Sequence, residues 1–79
     1  MKEIKVLGPG CKRWAATAEM VQTAADRLGV AVHIEKVTDY AAIAGYGIAA
    51  TPGLVINGQV VHAGGLPKPE DVASWLATA

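Results

Sequence analysis

The sequence predicts an α/β fold: a four-stranded mixed sheet with helices on both faces, in the order βαβ, a short helix, then ββα. Three observations predict it. A short apolar strand, a long amphipathic helix and an alternating strand succeed one another between Glu3 and Val37. Asn57-Gly58 joins two apolar runs, and a proline-led acidic segment opens a final helix after Pro67.

Glu3 to Leu7 reads as a strand because Ile4, Val6 and Leu7 are apolar and the Gly8-Pro9-Gly10 cluster stops it. From Lys12 to Leu28, the residues Trp14, Ala18, Val21, Ala25 and Leu28 recur at alternating spacings of four and three, which is one face of a helix. Lys12, Glu19, Gln22 and Asp26 fall elsewhere on it. Gly29 stands where that helix needs a left-handed terminating residue. Val30 to Val37 sets Val30, Val32 and Ile34 against Ala31, His33 and Glu35, the alternation of a strand. A strand, helix, strand order implies a right-handed crossover between parallel strands.

Thr38 or Asp39 caps a short helix through Tyr40, Ala41, Ala42, Ile43 and Ala44, ending at Gly45 or Gly47. Leu54-Val55-Ile56 and Gln59-Val60-Val61-His62 flank Asn57-Gly58, two residues that tolerate the positive φ of a type I′ turn, so this stretch reads as an antiparallel hairpin. Gly64-Gly65 releases the chain. Pro67-Lys68-Pro69-Glu70-Asp71 suits the first turn of a helix carrying Val72, Trp75 and Leu76.

A chain of 79 residues is read as one domain, 1–79, near the lower limit at which a core holds without disulfides or metals. It is 52% hydrophobic with balanced charges, which argues against disorder and leaves no basic patch for nucleic acid or an anionic membrane. No apolar run is long enough for a signal peptide or a membrane span, so the expected location is cytoplasmic. The single cysteine, Cys11, forms no internal disulfide and implies no oxidising compartment.

This element order, with a cysteine at the first strand-to-helix turn and Thr-Pro just before the hairpin, resembles the minimal thioredoxin fold. More narrowly, it resembles the small single-domain thioredoxin-like proteins sometimes called redox-active disulfide proteins. The matching pieces run through nearly the whole chain: Ile4-Lys5-Val6-Leu7-Gly8 leading to Gly10-Cys11, Val37-Thr38-Asp39, Tyr46-Gly47-Ile48 leading to Thr51-Pro52, Val55-Ile56-Asn57-Gly58, and Gly65-Leu66-Pro67. The family pattern has Cys-x-x-Cys at the helix start, and this chain has Cys11-Lys12-Arg13-Trp14. The first cysteine carries over to Cys11. The second is replaced by Trp14, so the two-thiol mechanism does not carry over. The family's active-site proline, usually cis, maps to Pro52 after Thr51; its isomer is implied by the resemblance alone.

The residues themselves frame the chemistry. At a helix start, unpaired N–H groups, the helix dipole, Lys12 and Arg13 would all favour a Cys11 thiolate, whereas the competing reading is a small buried hydrophobe. A glycine-rich turn is an exposed place, which favours the reactive thiol. Without a second cysteine, an outside thiol must resolve any mixed disulfide at Cys11. Trp14 is either a substrate-facing aromatic or, because it lies on the stripe with Ala18 and Val21, a packing residue. The Thr51-Pro52 loop either offers backbone hydrogen bonds to a peptide or to glutathione, or is a structural turn before a strand. Lys12, Arg13 and Lys68 would meet a glutathione carboxylate or else remain solvated. Tyr40 and Tyr46 are expected to cover the sheet. His33 and His62, in different strands, make a zinc site improbable, and the Gly8-Gly10 turn lacks both nucleotide-binding fingerprints.

Two functions follow as expectations. One is a monothiol protein exchanging through Cys11 with glutathione, as co-substrate, or with a partner's thiol; no metal and no resident cofactor is expected. The alternative is a redox-inactive module that holds a peptide or protein partner at the Pro52 loop. A homodimer, covalent through Cys11 or built on apolar surface around Trp14, is a third arrangement.

Overall fold

The computed structural model describes residues 1–10 and 12–78. The elements run β1 (Lys2–Leu7), α1 (Lys12–Leu28), β2 (Val32–Val37), α2 (Tyr40–Gly45), β3 (Gly53–Ile56), β4 (Gln59–Ala63) and α3 (Pro69–Thr78). They form a four-stranded sheet in the order β2-β1-β3-β4. β1 and β2 are parallel, as a crossover through α1 requires. β3 is antiparallel to both β1 and β4, which makes the sheet mixed.

Strand alternation divides the core in two. Ile4 and Val6 of β1 and Leu54 and Ile56 of β3 point to one face, where they meet Ala18, Val21 and Ala25 of α1 and Val72 and Leu76 of α3. Leu7 and Val55 point to the other, where Ile43 of α2 closes a smaller cluster with Val37, Tyr46 and Ile48 at its margin. Helices therefore cover both faces. Complete burial of a side chain such as Leu76 is worth about 2 kcal/mol over leaving it in water.

The expected boundaries hold with local corrections. α1 keeps its anticipated span, and Gly29 at φ +67° ends it: the Val30 amide donates to the Ala25 carbonyl at 3.0 Å and the Gly29 amide to Asp26 at 3.3 Å. This capping occupies Val30, so β2 begins at Val32. Leu28, expected on the buried face, is 44% exposed on the last turn of α1. Thr17, not foreseen in the core, is fully buried because its hydroxyl donates to the Arg13 carbonyl at 2.8 Å. Asp39 caps α2, its carboxylate accepting the Ala42 amide at 3.0 Å. The hairpin turn carries positive φ at Asn57 and Gly58, as Asn-Gly demands.

The two tyrosines part company. Tyr46 is half-buried against Leu7, Ile43 and Val55, whereas Tyr40 is 72% exposed and covers nothing. α2 is a single short helix with Ile43 as its buried residue, so its first residue points away from the sheet.

Candidate functional site

The register between β1 and β3 assembles the site. Leu7 pairs with Gly53, so the Gly8-Pro9-Gly10 turn that leaves β1 and the Thr51-Pro52 segment that enters β3 lie at the same end of the sheet. Cys11 lies outside the described residues; in sequence it joins Gly10 to Lys12, the first residue of α1.

On the β1 side, Gly8 is buried, while Pro9 and Gly10 are exposed. The Gly8 amide donates to the Val37 carbonyl at 2.9 Å, which fastens the turn to β2. A Cβ on Gly8 would stand 2.6 Å from Trp14 Cδ1, so only glycine leaves room for the indole. Trp14 also donates from Nε1 to the Val6 carbonyl at 3.1 Å, and Lys36 Nζ lies 5.4 Å from its ring centroid. The indole is half-buried and packs against the larger core cluster, in agreement with the packing role its stripe position suggested. Gly10 has φ +90°, a backbone conformation that favours glycine.

On the β3 side, the Thr51-Pro52 peptide is cis. Pro52 is buried and Thr51 half-buried. The Pro52 carbonyl accepts the Gly64 amide at 3.0 Å, which ties the segment to the end of β4. Tyr46, the C-cap of α2, is anchored from β1: Lys5 Nζ donates to its hydroxyl at 3.2 Å and lies 3.7 Å from Glu35 Oε2. The Tyr46 hydroxyl bond, and then the charge interactions with Tyr46 and Glu35, raise the Lys5 ammonium pKa above its ordinary value.

Lys12 and Arg13 are exposed on the first turn of α1, which carries no acidic residue. Two cations therefore stand at the end of α1 where the helix dipole is positive. Lys68 is exposed ahead of α3, where its carbonyl accepts the Asp71 and Val72 amides. His33 lies in β2 and His62 in β4, at opposite edges of the sheet; His62 Nε2 is 2.9 Å from the Gly65 carbonyl and its ring is 5.8 Å from Trp75. Among the described residues no three His, Cys, Asp or Glu side chains converge. Nor is any helix among them long and apolar enough to cross a membrane. A groove of about 520 Å³ runs between α1 and α3 past Met20, Leu28 and Ala73, and none of Lys12, Arg13, Thr51 and Pro52 lines it.

Two site features escaped the sequence reading: the close approach of Trp14 to Gly8, and the Lys5 anchor on Tyr46. The available signal for the first was a glycine at a strand end, which often marks close packing. The second joins residues forty-one positions apart and has no local signal.

The chain matches the thioredoxin domain family over residues 2–77. A thioredoxin of Methanocaldococcus jannaschii is 35% identical over 76 residues, 96% of this chain and 87% of that protein. A thioredoxin of Methanothermobacter thermautotrophicus is 26% identical over 77 residues, 98% of this chain and 100% of that protein. With this sheet order and this coverage, the chain belongs to the thioredoxin domain family.

Proposed function

We propose that the protein carries out monothiol thiol-disulfide exchange through Cys11, with glutathione or a partner protein's thiol as co-substrate, in a reducing compartment such as the cytoplasm. The observation that carries this reading is a thioredoxin domain whose sequence has its one cysteine between Gly10 and α1. The positive first turn of α1 supports it, since Lys12, Arg13 and free helix amides favour a thiolate.

In this mechanism the Cys11 thiolate attacks one sulfur of a disulfide, forming a mixed disulfide and expelling the other sulfur as a thiolate. A second, external thiolate then attacks the substrate sulfur of that mixed disulfide and regenerates the Cys11 thiolate, so electrons and atoms balance over two exchanges. Lys12 and Arg13 would pair with a substrate carboxylate, and the Thr51 backbone beside Pro52 would hold the extended substrate. This chain has no internal thiol to replace the external one.

The test is the pH dependence of Cys11 alkylation, with mass spectrometry of adducts on the purified protein. A midpoint clearly below the free-cysteine value of about 8.5, together with loss of mixed disulfides in Cys11→Ser, is expected. A thiol that titrates as free cysteine, or is shielded from reagent, overturns the reading. One observation favours a redox-inactive binding module in that event: Trp14 is built into the packing rather than left open. Partner binding through the Pro52 loop would then survive Cys11→Ser unchanged.

A further inference from the structure

We infer that the groove between α1 and α3 is where a second copy of this chain docks, α1 against α1 in antiparallel order about a two-fold axis at Thr23. This is not the surface around Trp14, which does not line the groove, and the inference stands apart from the chemistry of Cys11.

Small side chains make the groove. Ala16, Met20, Ala24 and Leu28 succeed one another at intervals of four, which is one ridge of α1, and Pro69 and Ala73 of α3 line the other side. Three of the six are alanines, so the ridge is low and leaves about 520 Å³ between two helices that pack on the same core cluster. Its two large apolar side chains stay within reach of water: Met20 is half-buried and Leu28 is 44% exposed. Covering them removes apolar surface from solvent, which favours association.

The neighbouring row of α1 names the occupant. Glu19, Thr23 and Arg27 also line the groove, again at intervals of four, and all three are exposed. Glu19 and Arg27 stand about 12 Å apart along the helix, too far to pair with each other. Neither forms an ion pair with another described residue. Because Thr23 lies midway between them, a two-fold axis there sets Glu19 of one copy against the partner's Arg27, and repeats that pair on the other side of the axis. An acid and a base at equal distances from one centre make the surface self-complementary, as an isologous interface requires. An apolar small molecule needs no such reciprocity, and a partner of one charge sign meets like charge at one end.

The experiment measures self-association by sedimentation equilibrium from about 1 μM to about 1 mM, the range in which a small interface reports itself. Reductant is present throughout, so that no Cys11 disulfide contributes. The wild type, Glu19→Arg, Arg27→Glu and the double variant are compared, with the thermal midpoint of each recorded. The wild type is expected to dimerise reversibly. Each single reversal, which sets like charges together at both ends of the interface, should weaken the dimer by about tenfold or more. The double variant restores opposite charges and should recover it. An equimolar mixture of the two single variants should form a heterodimer tighter than either homodimer, a result that lost stability in one variant cannot imitate. A wild type that remains monomeric to the top of the range overturns the inference, as does a monomer whose groove holds a small apolar molecule by native mass spectrometry. A dimer indifferent to both reversals overturns it too, and so do reversals that neither the double variant nor the mixture rescues. Each of these outcomes leaves thiol exchange at Cys11 standing.

Discussion

Gly53 packs so closely under Ile48 that a Cβ at position 53 would stand 2.6 Å from Ile48 Cδ1, with Leu7 Cδ1 a further 3.3 Å neighbour. The glycine that follows Pro52 therefore leaves room for the end of the Ile48 side chain, which a Cβ at position 53 would push aside. Gly53→Ala is expected to destabilise the fold by about 1–3 kcal/mol through overpacking. Ile48→Val deletes the clashing Cδ1, and in that background the Gly53→Ala penalty should shrink by about 1 kcal/mol. Urea denaturation of the four proteins in the cycle measures this coupling, and strict additivity would refute the close approach.

The hairpin turn is pinned to β1 by a reciprocal pair: the Glu3 amide donates to Asn57 Oδ1 at 3.0 Å, and the Asn57 amide to the Glu3 carbonyl at 2.8 Å. Asn57 also has φ +49°. Asn57→Ala loses the side-chain acceptor and places an unfavourable side chain in the left-handed region, a cost of about 1–2 kcal/mol. Asn57→Gly loses the acceptor but relieves the backbone, so it is expected to be the milder change. Equal denaturant midpoints for the two variants would contradict this.

Lys5 gives the fold a pH-dependent contact. Its ammonium pKa is raised by the Tyr46 hydroxyl first and Glu35 after it, so the folded state holds the proton more tightly than the unfolded chain. The resulting stabilisation is complete below the ordinary value of 10.5 and is lost as pH rises through the higher folded value. Tyr46→Phe deletes the acceptor and should flatten that alkaline decline relative to wild type. Because Lys5 is part-exposed, added salt should narrow the difference. Urea midpoints followed from neutral pH into the alkaline range test both statements.

What could be read without coordinates follows from the range of each signal. α1 was legible to its ends because its apolar period runs over seventeen residues between glycine-bearing turns, and Asn57-Gly58 marked the hairpin through backbone chemistry alone. Cys11, Lys12, Arg13, Thr51 and Pro52 could be named from the order of motifs. That the Gly8-Pro9-Gly10 turn and the Thr51-Pro52 segment share one end of the sheet could not, because it depends on Leu7 pairing with Gly53. Crossover rules join β1 to β2 and turn rules join β3 to β4, but nothing local joins β1 to β3. Tyr40 misled for a related reason: six residues of α2 carry too little periodicity to say which aromatic faces inward. Likewise Gly8 reads in sequence as a turn former, and only the fold brings Trp14 against it.

Trp14→Cys tests the consequences of that contact most directly, because it recreates Cys-x-x-Cys in one step. Removing a half-buried indole that packs on the core and donates to Val6 should cost about 2–3 kcal/mol, less than a fully buried tryptophan would. The new thiol stands three residues after Cys11, the spacing at which an attack on a Cys11 mixed disulfide closes within the chain. The variant should therefore be less stable than wild type. It should nonetheless release a bound thiol without any added reductant, which the wild type does not do. Intact-mass measurements on protein preloaded with a disulfide reagent separate these effects: wild type retains the adduct until an external thiol arrives, and Trp14→Cys sheds it as an internal disulfide two mass units lighter than the dithiol forms. An adduct that persists on Trp14→Cys would mean that the first turn of α1 cannot bring residues 11 and 14 together, and that the tryptophan is not the reason this chain relies on an outside thiol.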